Sequence, residues 1–186
     1  MSESLEAILT STSDCTPVGN PIESIRALKS KTVNVLDELI NDEENTVTIE
    51  EGTNKNPHEF LHIKDNKNNA RILFRGDIGT WFVKDLSKKH EIENMGYNSP
   101  AGNLAHEIMH SYSKFYDKNF QDRWNDTEST KNKIYYEDED MSFKNKEEEY
   151  NTTMTNQVLT KLKEDNRIHY SVGKYFTISP ISTKSK

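Results

Sequence analysis

The chain has 186 residues and a formal net charge of −7, with 32% hydrophobic and 30% charged residues. That length suits one domain with tails, and so polar a composition leaves a modest core and a large solvated fraction. No run approaches the roughly 18 apolar residues of a membrane helix, the acidic balance argues against nucleic acid or an anionic membrane as partner, and the single cysteine, Cys15, cannot form an internal disulfide.

Residues 1–20 are polar and irregular, which predicts a tail without a basic-then-apolar secretory signal. From Pro21, the residues Ile22, Ile25, Leu28, Val35, Leu36, Leu39 and Ile40 recur mostly at steps of three and four. This predicts an amphipathic helix capped by Asn20, with a break near Lys31. Strand-like runs follow at 46–50 (TVTIE), 60–64 (FLHIK), 70–74 (ARILF) and 81–83, separated by turn-like stretches. Connections this short predict a small, mostly antiparallel sheet. Ser99 and Pro100 announce a second helix, with Leu104, Ile108, Met109, Tyr112 and Phe115 or Tyr116 on its apolar stripe. Residues 118–146 are dominated by Asp, Glu, Lys and Asn and predict a solvated insertion. A last helix over about 147–164 carries Tyr150, Met154, Val158 and Leu162 at four-residue spacing, and 177–186 predict a polar tail. The fold class expected is α+β, one domain over residues 21–176.

The second helix contains His106-Glu107-Ile108-Met109-His110, an H-E-x-x-H sequence. Residues four apart lie one turn apart on one helix face, so both imidazoles can reach one ion. Neutral imidazole is a good zinc ligand. Glu107 is offset from both, where it can serve as general base for a zinc-bound water. In a shuffled chain of this composition about 0.02 such matches are expected. The neighbours Leu104, Ala105, Ser111 and Tyr112 are uncharged, unlike those of a solvated helix face. By contrast, His58 and His62 flank a strand, where residues four apart are about 13 Å from each other, so they are not read as a joint site.

A hydrolytic zinc site needs a third protein ligand. Only His169 follows the motif, so a carboxylate is expected. The last helix opens with Glu147-Glu148-Glu149. On a helical wheel Glu147 and Glu148 fall near its inner face and Glu149 nearly opposite, and Glu148 is the first candidate. An acidic first turn is also ordinary macrodipole chemistry.

The segments 103–112 (NLAHEIMHSY), 148–152 (EEYNT) and 167–170 (RIHY) together resemble the NleD-like effector zinc metallopeptidases, which include toxin domains of Rhs-type polymorphic toxins. The resemblance covers roughly residues 35–176. It implies a zincin-like fold, a Zn2+ cofactor and zinc-dependent endopeptidase activity on a protein or peptide. It further implies a secreted bacterial effector or toxin acting in a target-cell cytoplasm. It points to Tyr170 as a catalytic residue supporting the transition state, with Arg167 and His169 beside it. The edge strand near 71–75 is expected to bind extended substrate by strand addition. Two other readings stand beside this one: a non-catalytic protein-binding module on the same fold, and a zinc hydrolase of cell-wall peptide. No feature of the sequence sets an oligomeric state.

Overall fold

A computed structural model of the chain describes residues 33–64, 66–88, 91–128, 135–136, 138–170 and 174–177. The expected tails, Cys15 and the first part of the helix beginning at Pro21 lie outside these residues. The described elements are α1 (Val33–Ile40), β1 (Thr46–Glu51), β2 (Glu59–Leu61), β3 (Asn69–Phe74), β4 (Ile78–Val83) and β5 (Met95–Asn98). They continue with α2 (Pro100–Tyr116), α3 (Phe120–Asn125), β6 (Tyr135–Tyr136), β7 (Glu139–Asp140), α4 (Lys146–Leu162) and β8 (Lys174–Thr177). The fold is mixed α+β with small sheets.

One sheet has the order β1-β3-β2, with β1 parallel and β2 antiparallel to β3. The other, β5-β4-β8, is antiparallel throughout. Strand β3, the centre of its sheet, carries the cleanest alternation, with Ala70 and Ile72 buried on one face and Arg71 exposed on the other. The edge strand expected near 71–75 is therefore the centre of its sheet. The edge beside α2 is β2. The alternation in β1 and β3 marks faces but carries no pairing order, and the β1–β3 parallel crossover makes β2 the outer strand.

Helix α2 packs against α1, α3, α4 and strands β2 to β5. A helix so placed is covered nearly all round: every residue from Pro100 to Ser111 is buried. The Ser99 side chain caps it by accepting from the Gly102 N–H at 3.2 Å. Glu164, just beyond α4, accepts from the Ser99 N–H at 3.0 Å and the Ser99 hydroxyl at 2.5 Å, so a carboxylate sits at the positive end of α2. Leu36, Leu39, Phe60, Ile72, Leu104, Ile108 and Val158 form the main core. Val83, Met95, Tyr136 and Met141 form a second cluster.

The expected solvated insertion at 118–146 is exposed at many of its described residues, but it also carries packed structure. Residues 120–125 form α3, Phe120 is only 4% exposed, and Trp124 packs on the same core. Tyr136 and Met141 are buried too. Phe120 and Trp124 are four apart and give one short helix an aromatic face. The surrounding charges hid this signal, and several are paired: Arg123 bonds Asp117 and Glu147. In α4 the inner face is polar at its N-terminal half: Glu147, Glu148, Asn151, Thr152 and Thr155 are buried, while Tyr150 is exposed.

Candidate metal centre

Helices α2 and α4 lie side by side, and their facing side chains build the site. From α2, the four-residue spacing directs His106 and His110 to one face, with ring planes 88° apart and centroids 4.9 Å apart. From α4, the Glu148 Oε2 lies 3.3 Å from Nε2 of each histidine. All three residues are buried, and their ligand atoms lie within 4.8 Å of one another. Bonds of about 2.0–2.1 Å to a tetrahedral ion place ligand atoms about 3.3 Å apart. The spacing and the donor set, two imidazoles and one carboxylate, therefore fit a metal ion. Glu149 points away and is exposed, as the helical wheel predicts.

Neighbouring groups orient the ligands. The Asn151 side-chain amide donates to the His106 carbonyl oxygen at 2.8 Å. The Thr155 hydroxyl donates to the Asn151 carbonyl and lies 3.4 Å from His106 Nδ1. A Thr155 lone pair can thus accept a hydrogen bond from Nδ1–H and leave Nε2 for a metal. Glu148 is fixed at the helix start, where its N–H donates to the Asn145 cap at 2.9 Å. Phe60 stacks on His110 at 5.3 Å, and Trp124 meets it edge-on at 6.1 Å. These rings give the site an apolar wall.

The electrostatics follow from burial. Burial lowers His106 to a pKa of about 4, and Glu148 only partly opposes it. Burial also opposes protonation of His110, but Glu148, Glu147 and Glu107 together push it up to about 10. Burial disfavours the Glu148 carboxylate as well, yet His110 and His106 hold its pKa well below the usual range. In the metal-free cluster these opposing effects favour a proton on His110 against the Glu148 carboxylate and a neutral His106. Glu107 is raised by burial to about 7, with the charge of His110 and the Phe60 backbone in β2 partly opposing the rise. A carboxyl that exchanges a proton near neutrality, one residue from a ligand, is a candidate general base.

Comparisons with family models, with curated proteins and with solved structures found no match. The site therefore rests on its own geometry.

The other expected residues have definite settings. Tyr170 packs on Phe143, with its ring 5.0 Å from Lys144 Nζ and 5.8 Å from the Arg167 guanidinium. Its link to the cluster runs through Arg167, which lines a small cavity with His106 and Asn103 and whose charge acts on His106 and Glu107. His169 is buried and donates to the Val83 carbonyl at 2.6 Å, a packing role beside Phe82. His58 and His62 go to separate partners, the Ile78 carbonyl and Gln121. Arg123, Trp124 and the distinct setting of Glu147 were not singled out by the sequence. The Phe-x-x-x-Trp spacing at 120–124 was the available signal. Among the described residues, no helix is long and apolar enough to cross a membrane.

Proposed function

We propose that this chain is a zinc-dependent metalloendopeptidase. The observation that carries the reading is the buried convergence of His106, His110 and Glu148, with Glu107 between the two histidines on the same helix. Three protein ligands are the count found in catalytic zinc sites, and two imidazoles with a carboxylate suit zinc. His106, His110 and Glu148 would hold the ion, which when bound supplies Lewis-acid polarisation of a carbonyl and acidifies water.

The chain's own residues do the rest. Glu107, increasingly ionised as pH rises above neutrality, takes a proton from the attacking water and returns it to the leaving amine. Phe60 and Trp124 keep bulk water from one side of the site. Strand β2 is the edge of its sheet and abuts α2. An extended peptide added to β2 would run past Glu107. Arg167 is placed to act on charge developing near His106, and Tyr170 lies next to it. The motif resemblance further supports an effector or toxin protease with a protein substrate.

Metal analysis of the purified chain tests the site: one zinc per chain is expected, and well under one in His106→Ala. Full zinc occupancy in that variant refutes the assignment. Casein should be cleaved by the wild type; cleavage of peptidoglycan with casein untouched would make the protein a wall-peptide hydrolase.

A further inference from the structure

Glu147 adjoins the ligand Glu148 yet occupies a different place. Its side chain is fully buried, and one oxygen, Oε2, accepts from Arg123 Nε at 2.6 Å. The other, Oε1, lies 3.7 Å from His110 Nδ1. Neither Oε1 nor Nδ1 has a hydrogen-bond partner among the described residues. Buried polar atoms rarely stay unpaired, and these two face each other. A histidine that gives Nε2 to a metal carries its proton on Nδ1 and needs an acceptor there.

Arg123 is itself tightly placed. Its Nη1 donates to Asp117 at 2.9 Å and its Nη2 to the Ser113 hydroxyl at 2.7 Å, while its guanidinium sits 3.9 Å from the Tyr150 ring centroid. One side chain from α3 therefore ties the end of α2 to the start of α4. These are the two helices whose separation sets the distance from the histidines to Glu148. A planar fork with several N–H donors can do this; an ammonium cannot reach all three acceptors at once.

We infer that Glu147 is a positioning residue for the metal, its Oε1 accepting a hydrogen bond from Nδ1–H of His110, and that Arg123 acts through Glu147 by locking its carboxylate in place. This rests on the metal-centre reading above. The test uses the full chain with Zn2+ and Co2+ as probes. Zinc affinity is measured by competition with a chelating dye, and the visible absorption band of bound Co2+ reports the ligand field. Glu147→Gln should still bind one zinc per chain, about 10- to 100-fold more weakly, with a shifted Co2+ band. Arg123→Lys should weaken binding in the same direction, and the double variant should be no weaker than Glu147→Gln by itself. Wild-type affinity and an unshifted band in Glu147→Gln overturn the inference. So does complete loss of zinc from a folded Glu147→Gln, which would make Glu147 a ligand. If Glu147→Gln does not fold, unchanged zinc affinity in Arg123→Lys overturns the inference. Failure of the wild type to bind zinc refutes the metal centre itself and is read separately.

Discussion

Glu107→Gln separates chemistry from stability, because the same burial that tunes Glu107 also burdens the fold. The carboxyl moves from an ordinary value of 4.5 to about 7 in the folded, metal-free chain. A raised folded pKa means that stability is fully present below about pH 4.5 and is lost as pH rises through 7. At about 1.4 kcal/mol per pKa unit, the full loss is about 3 to 4 kcal/mol. Glutamine cannot ionise and has nearly the same size and shape. The metal-free variant should therefore gain about 2 to 3 kcal/mol relative to the wild type between pH 5 and pH 8. Urea denaturation of both chelator-treated proteins at the two pH values measures this. The same variant should retain zinc, since Glu107 is not a ligand in this reading, and lose about 10²- to 10⁴-fold in kcat/KM on a cleaved peptide. A stability difference that does not change with pH would show that Glu107 is not buried as an ionising group. Near wild-type turnover would show that it is not the base, and loss of zinc would make it a ligand or a structural prop.

Much of this site lay in the sequence because its information is local. Ser99-Pro100 marks a helix start through cap chemistry, and His106 and His110 share a face through helical spacing alone. Short strand-like runs between turn-like stretches placed β1 and β3 within a residue of their observed ends for the same reason. Non-local pairing was not legible. The sequence of β2 says nothing about pairing with β3 instead of β1, so the edge strand was assigned to the wrong segment. The polar inner face of α4 also misleads a reading based on apolar periodicity. Asn151 and Thr155 are buried because His106 needs their hydrogen bonds, a demand visible only once α2 lies against them. Segment 118–128 fails by the same logic: Arg123 counts as solvated until Glu147, Asp117 and Ser113 are seen to surround it.

Phe120→Ala should cost about 3 kcal/mol, since the ring is buried against Phe60 and Trp124. Equal denaturation midpoints would mean that α3 is not packed. Zinc uptake should release about one proton between pH 6 and 8, because His110 is protonated in the free cluster while His106 is neutral; zinc affinity then rises about tenfold per pH unit, and a flat profile would contradict the proposed charge state. Gly102→Ala sets two effects against each other. Replacing glycine inside a helix normally gains about 1 kcal/mol. Here the added Cβ would lie 2.5 Å from a Glu164 carboxylate oxygen and 2.7 Å from a Leu159 methyl group. Neither can yield cheaply: Glu164 is pinned by two hydrogen bonds from Ser99, and Leu159 is 2% exposed. Overpacking costs about 1–3 kcal/mol, so the clash should win and the variant should be less stable than the wild type. The strain also pushes α4 from α2 and takes Glu148 with it, so zinc affinity should fall although Gly102 contributes no side chain to the site. A Gly102→Ala protein that is more stable and binds zinc normally would mean that the two helices are not packed as closely as the site requires.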